Sequence, residues 1–271
     1  MLVTRTASTV VLILLTAVSI FYKPLFIIVV LLFTLGGLYE FFSLVEKKGV
    51  PVYKYFGTII GLTIPLSIFY RFELTKGWEL LFVVAGLISA FILQISKNKS
   101  DQAVFSISAT MFGIAYIAWL FSFVVRIRLL AHGGVLLGAL ILITKSSDIG
   151  AYLIGSAFGK HALIPRISPK KSIEGTIGGI CIGVLAAWAC GSFLPNDLLF
   201  SNARLLFIGL VLSVLAQLGD LSESLVKRDC LAKDSSGVIP GIGGVMDLID
   251  SLLFTAPVFY FYVLYYKIIS L

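Results

Sequence analysis

Charge is what this chain has least of. Asp, Glu, Lys and Arg make up 13% of its 271 residues, against 59% hydrophobic residues and a mean hydropathy of +1.04. A soluble domain is about one quarter charged, so a water-covered globule is excluded and lipid must solvate most of the surface. Cysteine and histidine are nearly as scarce. Cys181, Cys190 and Cys230 are too few and too scattered for a disulfide framework or a zinc site, which leaves them as packing residues. His132 and His161 offer no paired metal spacing and no Ser/His/Asp or Cys/His arrangement. No alternating barrel pattern, internal repeat or inverted-repeat signature is present. No small-x-small cleavage site follows the first apolar stretch, so residues 1–22 read as a retained first helix. The formal net charge of +7 is spread singly between apolar runs. With no basic, aromatic-interleaved patch, nucleic acid is excluded as a partner, and membrane orientation and phosphate binding remain.

What is present is a series of apolar runs. Backbone groups in hydrocarbon need internal partners, so such runs must be helices. Runs of spanning length, roughly 17–25 residues, fall near 5–22, 25–45, 55–71, 78–96, 103–125, 133–154, 173–194, 203–219 and 250–269. The expected architecture is an all-α polytopic membrane protein of about nine transmembrane helices in a single integral membrane domain, residues 1–271. Within it, 1–130 is mainly hydrophobic scaffold and 133–271 carries the catalytic helices and loops. Basic residues are in excess on the side holding Lys47, Lys48, Lys54, Lys160, Lys170, Lys171, Lys227, Arg228 and Lys233. The N-terminus is therefore expected in the cytoplasm, with loops 155–172 and 220–249 on the same face. Gly57/Gly61 and Gly175/Gly179/Gly183 have the spacing that lets helix backbones approach closely.

Acidic residues crowd into positions 148–250. A carboxylate at a helix centre costs roughly 2.5–3.5 kcal/mol by insertion scales, so each must face a partner, a metal or water. Asp220 ends an apolar run with Glu223 one turn later, and Asp247 and Asp250 repeat that spacing at the mouth of the last run. Acids so close require a cation, and magnesium suits hard oxygen ligands and phosphate chemistry. The same acids also read as solvated helix ends pairing with Lys227, Arg228 and Lys233. The intervening stretch combines Lys233, Asp234, two serines and the Gly-rich turn Pro240-Gly241-Ile242-Gly243-Gly244. Exposed amides and cations are what a polyphosphate needs, although such a turn alone is weak evidence. Lys145 and Asp148 are spaced for an internal pair. Ser168-Pro169-Lys170-Lys171 stands just before an apolar helix, as a phosphate site or as an anchor on the cytoplasmic side.

These segments together resemble the phosphatidate cytidylyltransferase (CDP-diacylglycerol synthase) family. The similarity rests on Gly219-Asp220-Leu221, Ser224 to Arg228, Lys233 to Gly237, Ile239-Pro240-Gly241, Gly243-Gly244 and Asp247 to Asp250. An upstream block adds Asp148, Gly150-Ala151-Tyr152, Phe158 to His161 and Ser168-Pro169-x-Lys171. Ile242 stands where the family usually has His, Leu248 where it has Arg, and Ser147 where Asn is common. The resemblance implies condensation of phosphatidic acid with CTP to CDP-diacylglycerol and pyrophosphate, with magnesium, in a cell inner (cytoplasmic) membrane, and leaves a homodimer open. It implies that Asp220 and Asp247 hold metal with Asp250 supporting or joining them. Lys171, Lys227, Arg228 and Lys233 would bind CTP or lipid phosphate, with Ser168, Lys170, Asp234, Gly241, Gly243 and Gly244 contributing to substrate binding. Asp148 would position a metal water or the nucleotide. A related CTP-dependent transferase or kinase acting on a polyprenol or another lipid alcohol fits the same residues, and a cation-coupled transporter would also carry intramembrane acids.

Overall fold

The computed structural model describes residues 2–71, 78–97, 101–194, 201–239 and 243–269. Helices dominate: α1 (Leu2–Phe21), α2 (Lys23–Lys47), α3 (Lys54–Phe69), α4 (Trp78–Ile95), α5 (Ala103–Gly113), α6 (Leu120–Leu129), α7 (Gly133–Phe158), α8 (Ile173–Cys190), α9 (Asn202–Asp229) and α10 (Met246–Ile269). A π-helical stretch, Ile114–Trp119, joins α5 to α6 in one continuous rod. Each apolar run of the sequence coincides with one of these rods. Six rods are long and apolar enough to cross a membrane, and three shorter apolar helices accompany them among the described residues.

Local signals set the helix ends. Pro24 opens α2 at a position where a missing N–H costs nothing. Gly49, at φ +88°, closes it in the left-handed conformation that a side chain disfavours, and Pro51 follows. Ser172 caps α8 by accepting a hydrogen bond from the Gly175 amide at 3.1 Å.

The boundaries differ from the sequence reading in two places. Helix α9 runs on to Asp229, so the stretch 220–229 is helical rather than loop. Leu221, Leu225 and Val226 continue its apolar face, and Glu223 pairs with Lys227 one turn on. The all-helical expectation also needs one addition, an antiparallel hairpin of β1 (Ala162–Ile164) and β2 (Ser168–Ser172) between α7 and α8. Its strands are too short for alternation to register in the sequence. The Glu174 carboxylate fastens it by accepting from the Lys160 and His161 amides at 3.1 and 3.2 Å, with His161 Nδ1 at 2.6 Å.

The chain packs as two compact units. The first comprises Met1–Arg126 and Asp229–Ile249, the second Ile127–Arg228 and Asp250–Leu271. Phe42, Leu38, Leu44 and Ile117 are fully buried in the first unit, and Leu136, Leu140, Ile143, Ile208 and Leu212 in the second. Cys190 and Cys230 are buried as expected, whereas Cys181 is exposed.

The glycine spacing on α8 is a packing device. A Cβ added to Gly179 would lie 2.7 Å from the Ser147 carbonyl oxygen, and one on Gly175 2.8 Å from that of Ala151. Helices α7 and α8 therefore touch backbone to backbone. Since a carbonyl on a rigid helix cannot move aside as a side-chain tip can, Gly179→Ala should destabilise the fold by about 1–3 kcal/mol, read as a lower unfolding midpoint in detergent. Ala at Gly138, which faces open space, should leave that midpoint unchanged.

Candidate active site

A cluster of acids forms within the second unit. Asp220 and Glu223 share a face of α9, and Asp250 stands near the start of α10. One carboxylate oxygen from each lies within 4.8 Å of the others. Gly219 makes this approach feasible: a Cβ there would lie 2.5 Å from the Asp250 carbonyl oxygen and 3.1 Å from the Ser251 Cα. The pair Gly219-Asp220 thus combines a contact between helices with a carboxylate at the contact. Glu223 and Asp250 are buried, while the Asp220 side chain is 40% exposed and keeps a path to solvent.

Lysines answer these acids. Lys171, the penultimate residue of β2, reaches Asp220 at 2.6 Å, and Lys227 reaches Glu223 at 2.6 Å. Lys145 pairs with Asp148 at 3.1 Å, the internal pair that the spacing suggested. Ser251 joins that pair to α10, accepting from Lys145 at 2.9 Å and donating to Asp148 at 3.1 Å. Lys145, Asp220 and Asp148 all act electrostatically on Asp250, so the residues form one charged network. Four carboxylates meet three ammonium groups, leaving one anion in excess.

That donor set fits a hard divalent cation. It is all oxygen and net anionic, and one octahedral magnesium ion would draw neighbouring donors to about 3 Å, so the three oxygens, now within 4.8 Å of one another, would close on it.

Other expected site residues surround this network in the second unit. Ser168 opens β2, Lys170 is exposed on it, and Ser172 caps the helix that follows. The phosphate-type stretch therefore does lead into a helix N-terminus. Arg228 is anchored by its Nε, which donates to the Ile167 carbonyl at 3.2 Å.

The remaining expected residues belong to the first unit. Lys233 and Asp234 are exposed. Asp247, in the first turn of α10, accepts from the Ser235 hydroxyl at 2.7 Å and the Gly244 amide at 2.9 Å. Ile239 and Gly243 exchange both backbone hydrogen bonds at 3.0 and 3.1 Å, and Gly243 holds φ +125°. Gly241 lies outside the described residues.

Three participants escaped the sequence reading. Lys145 belongs to the acidic network rather than to an isolated pair, and Ser251 is an unremarkable hydroxyl in an apolar helix that no sequence signal separates from a packing residue. Glu40 is the third. It is 2% exposed, and its signal was available, since it is the lone carboxylate in the apolar run 25–45.

Comparison with known proteins bears on all of this. The pattern of the family described as "Cytidylyltransferase family" matches residues 3–266. The phosphatidate cytidylyltransferase of Synechocystis sp. is 32% identical over 259 residues, covering 84% of each chain. That of Bacillus subtilis is 33% identical over 243 residues, covering 86% of this chain and 87% of its own. The "Uncharacterized protein YnbB" of Escherichia coli is 33% identical over 223 residues, covering 79% of this chain and 71% of its own. Because the family pattern embraces the apolar helices as well as both polar segments, this chain belongs to the cytidylyltransferase family.

Proposed function

We propose that the protein condenses CTP with phosphatidic acid to give CDP-diacylglycerol and pyrophosphate. Family membership together with the relatives' names supports this activity, and the acidic network on apolar helices, with its lysines, is the observation that carries it. An oxygen of the lipid phosphate attacks the α-phosphorus of CTP, and the bond to the departing pyrophosphate breaks. No covalent protein nucleophile is required. The chain's task is to hold two anionic groups in line and to offset the charge gathering on phosphate oxygens.

Asp220, Glu223 and Asp250 would hold magnesium, while Asp247, in the first unit, is a candidate ligand on the family resemblance alone. The ion, once bound, supplies charge stabilisation to phosphate oxygens. Lys171 sits beside Asp220 and exchanges that partner for a substrate phosphate. Arg228, held by the Ile167 carbonyl, would bind phosphate beside Lys171. Lys170 and Ser168 line the approach to the α8 N-terminus, while Lys233, Asp234 and the turn 241–244 receive the nucleotide. Asp148, oriented by Lys145 and Ser251, positions a water or the nucleotide.

The excess of basic residues supports a cytoplasmic N-terminus, the nine apolar rods among the described residues support about nine crossings, and the bacterial relatives support an inner-membrane location. Arg166, in the hairpin turn, should then be shielded from outside. A cysteine at Arg166→Cys is expected to react with a membrane-impermeant maleimide only after the cells are broken, and labelling of intact cells would reverse the orientation. For the activity itself, purified protein is incubated with phosphatidic acid, labelled CTP and magnesium. Formation of labelled CDP-diacylglycerol with release of pyrophosphate is expected. A phosphorylated lipid alcohol with CDP as the by-product would overturn the reading.

A further inference from the structure

Glu40 stands deep within the first unit, in the interior of α2, where a carboxylate is tolerated only with good partners. Its partners all come from one distant segment. Oε1 accepts from the Ser236 hydroxyl at 2.5 Å and from the Val245 amide at 2.8 Å, and Oε2 accepts from the Met246 amide at 2.8 Å. Those two amides stand at the start of α10, where a helix has no internal acceptors for its first N–H groups. An anion there also meets the positive end of the helix dipole. The fit is close, since a Cβ on Gly244 would lie 2.5 Å from Glu40 Oε2. Gly36 and Gly37, one turn earlier on α2, open space for Val245 and Ile249: a Cβ on them would come within 2.7 and 3.2 Å of those side chains.

The other end of the segment is tied to the same helix. Lys48, at the C-cap of α2, pairs with Asp229 at 2.5 Å, and that hydrogen bond holds the Lys48 ammonium above its ordinary pKa. Both groups are substantially exposed, so solvent screens this contact and it contributes little. Glu40 is the buried fastening. Between the two anchors lie Lys233, Asp234 and the glycine-rich turn. Asp247 takes two more of the segment's donors, Ser235 and Gly244.

We propose that Glu40 is a positioning residue for the nucleotide: its carboxylate clasps Ser236, Val245 and Met246 and so fixes the backbone that presents Gly243, Gly244 and Asp247. The proposal rests on the activity proposed above. Glu40→Gln keeps the size, but it replaces one acceptor oxygen by an NH2 group facing backbone donors. In this variant KM for CTP should rise about tenfold, the loss of roughly one charge-assisted hydrogen bond, while KM for phosphatidic acid stays unchanged. Amide hydrogen exchange at Val245 and Met246 should accelerate in parallel. Glu46→Gln, a change on the same helix at a carboxylate paired with Lys54 at 3.5 Å, should alter neither. A Glu40→Gln protein with faster exchange but an unchanged KM for CTP would overturn the positioning role, and unchanged exchange would overturn the clasp. If Glu40→Gln does not fold, Ser236→Ala decides by the same readouts, with a smaller shift in the same direction expected. If the wild-type protein makes no CDP-lipid, the proposed activity falls, and exchange at Val245 and Met246 still decides whether the clasp exists.

Discussion

Asp220→Asn should abolish CDP-diacylglycerol formation while leaving the protein folded and inserted. The side chain keeps its size and its place at the Gly219 contact, and only the anion is lost. Charge stabilisation by a bound metal amounts to several kcal/mol, which at about 1.36 kcal/mol per decade corresponds to a thousandfold or more in rate. Magnesium should raise the unfolding midpoint of the wild-type protein, because a ligand that binds only the folded state stabilises it by about 2.7 kcal/mol at one hundred times its Kd. That response should be missing in Asp220→Asn and weakened in Asp250→Asn. If Asp220→Asn retained most of its activity at ordinary magnesium concentration, the carboxylate cluster would not be the metal site. The loss of Lys171's partner gives a second signature. With Asp220 neutral, the Lys171 ammonium is released from its 2.6 Å pair, so binding of CTP without magnesium should tighten slightly even as turnover stops.

How much of this was legible in the sequence depended on the range over which each residue acts. The rods followed from composition, because lipid leaves an apolar run no alternative to a helix. Asp220 with Glu223, and Lys145 with Asp148, were legible as pairs, because helical spacing of three fixes a shared face without any tertiary knowledge. The phosphate-type stretch before α8 was legible too, because Ser168 to Lys171 stand just before an apolar run, whereas the cap at Ser172 came from the structure. What could not be read was which pairs meet. Lys171 and Asp220 are 49 positions apart and touch. Nothing local in either segment encodes that, and Gly219, which allows the approach of α9 to α10, looks in the sequence like any glycine in an apolar run. Glu40 is a different kind of omission. A lone buried carboxylate in a spanning-length helix signals a partner on physical grounds alone, and treating the first 130 residues as scaffold passed over it.

The same distinction alters what is expected of Lys227. As a phosphate contact on a loop, its removal would weaken CTP use and cost no stability. In the structure it is a buried residue of α9 whose ammonium lies 2.6 Å from Glu223, itself 1% exposed. Removing one member of a buried ion pair strands the other charge, at about 3–5 kcal/mol. Lys227→Met keeps most of the aliphatic stem, so nearly all of that cost is electrostatic. The variant should therefore unfold at a markedly lower temperature in the absence of divalent ions. Magnesium should then restore it, by more than it stabilises the wild-type protein, because the cation enters a cluster that has become one charge more negative. Neutralising the acid as well should have the same effect without any ion: Lys227→Met with Glu223→Gln is expected to recover most of the lost stability, and magnesium should shift it less than the single variant. The decisive comparison is the magnesium-induced rise in unfolding midpoint for the three proteins. A larger rise in Lys227→Met than in the wild type, collapsing in the double variant, assigns Glu223 to the metal cluster. Equal rises in all three would remove it, leaving Glu223 and Lys227 as a structural pair within α9.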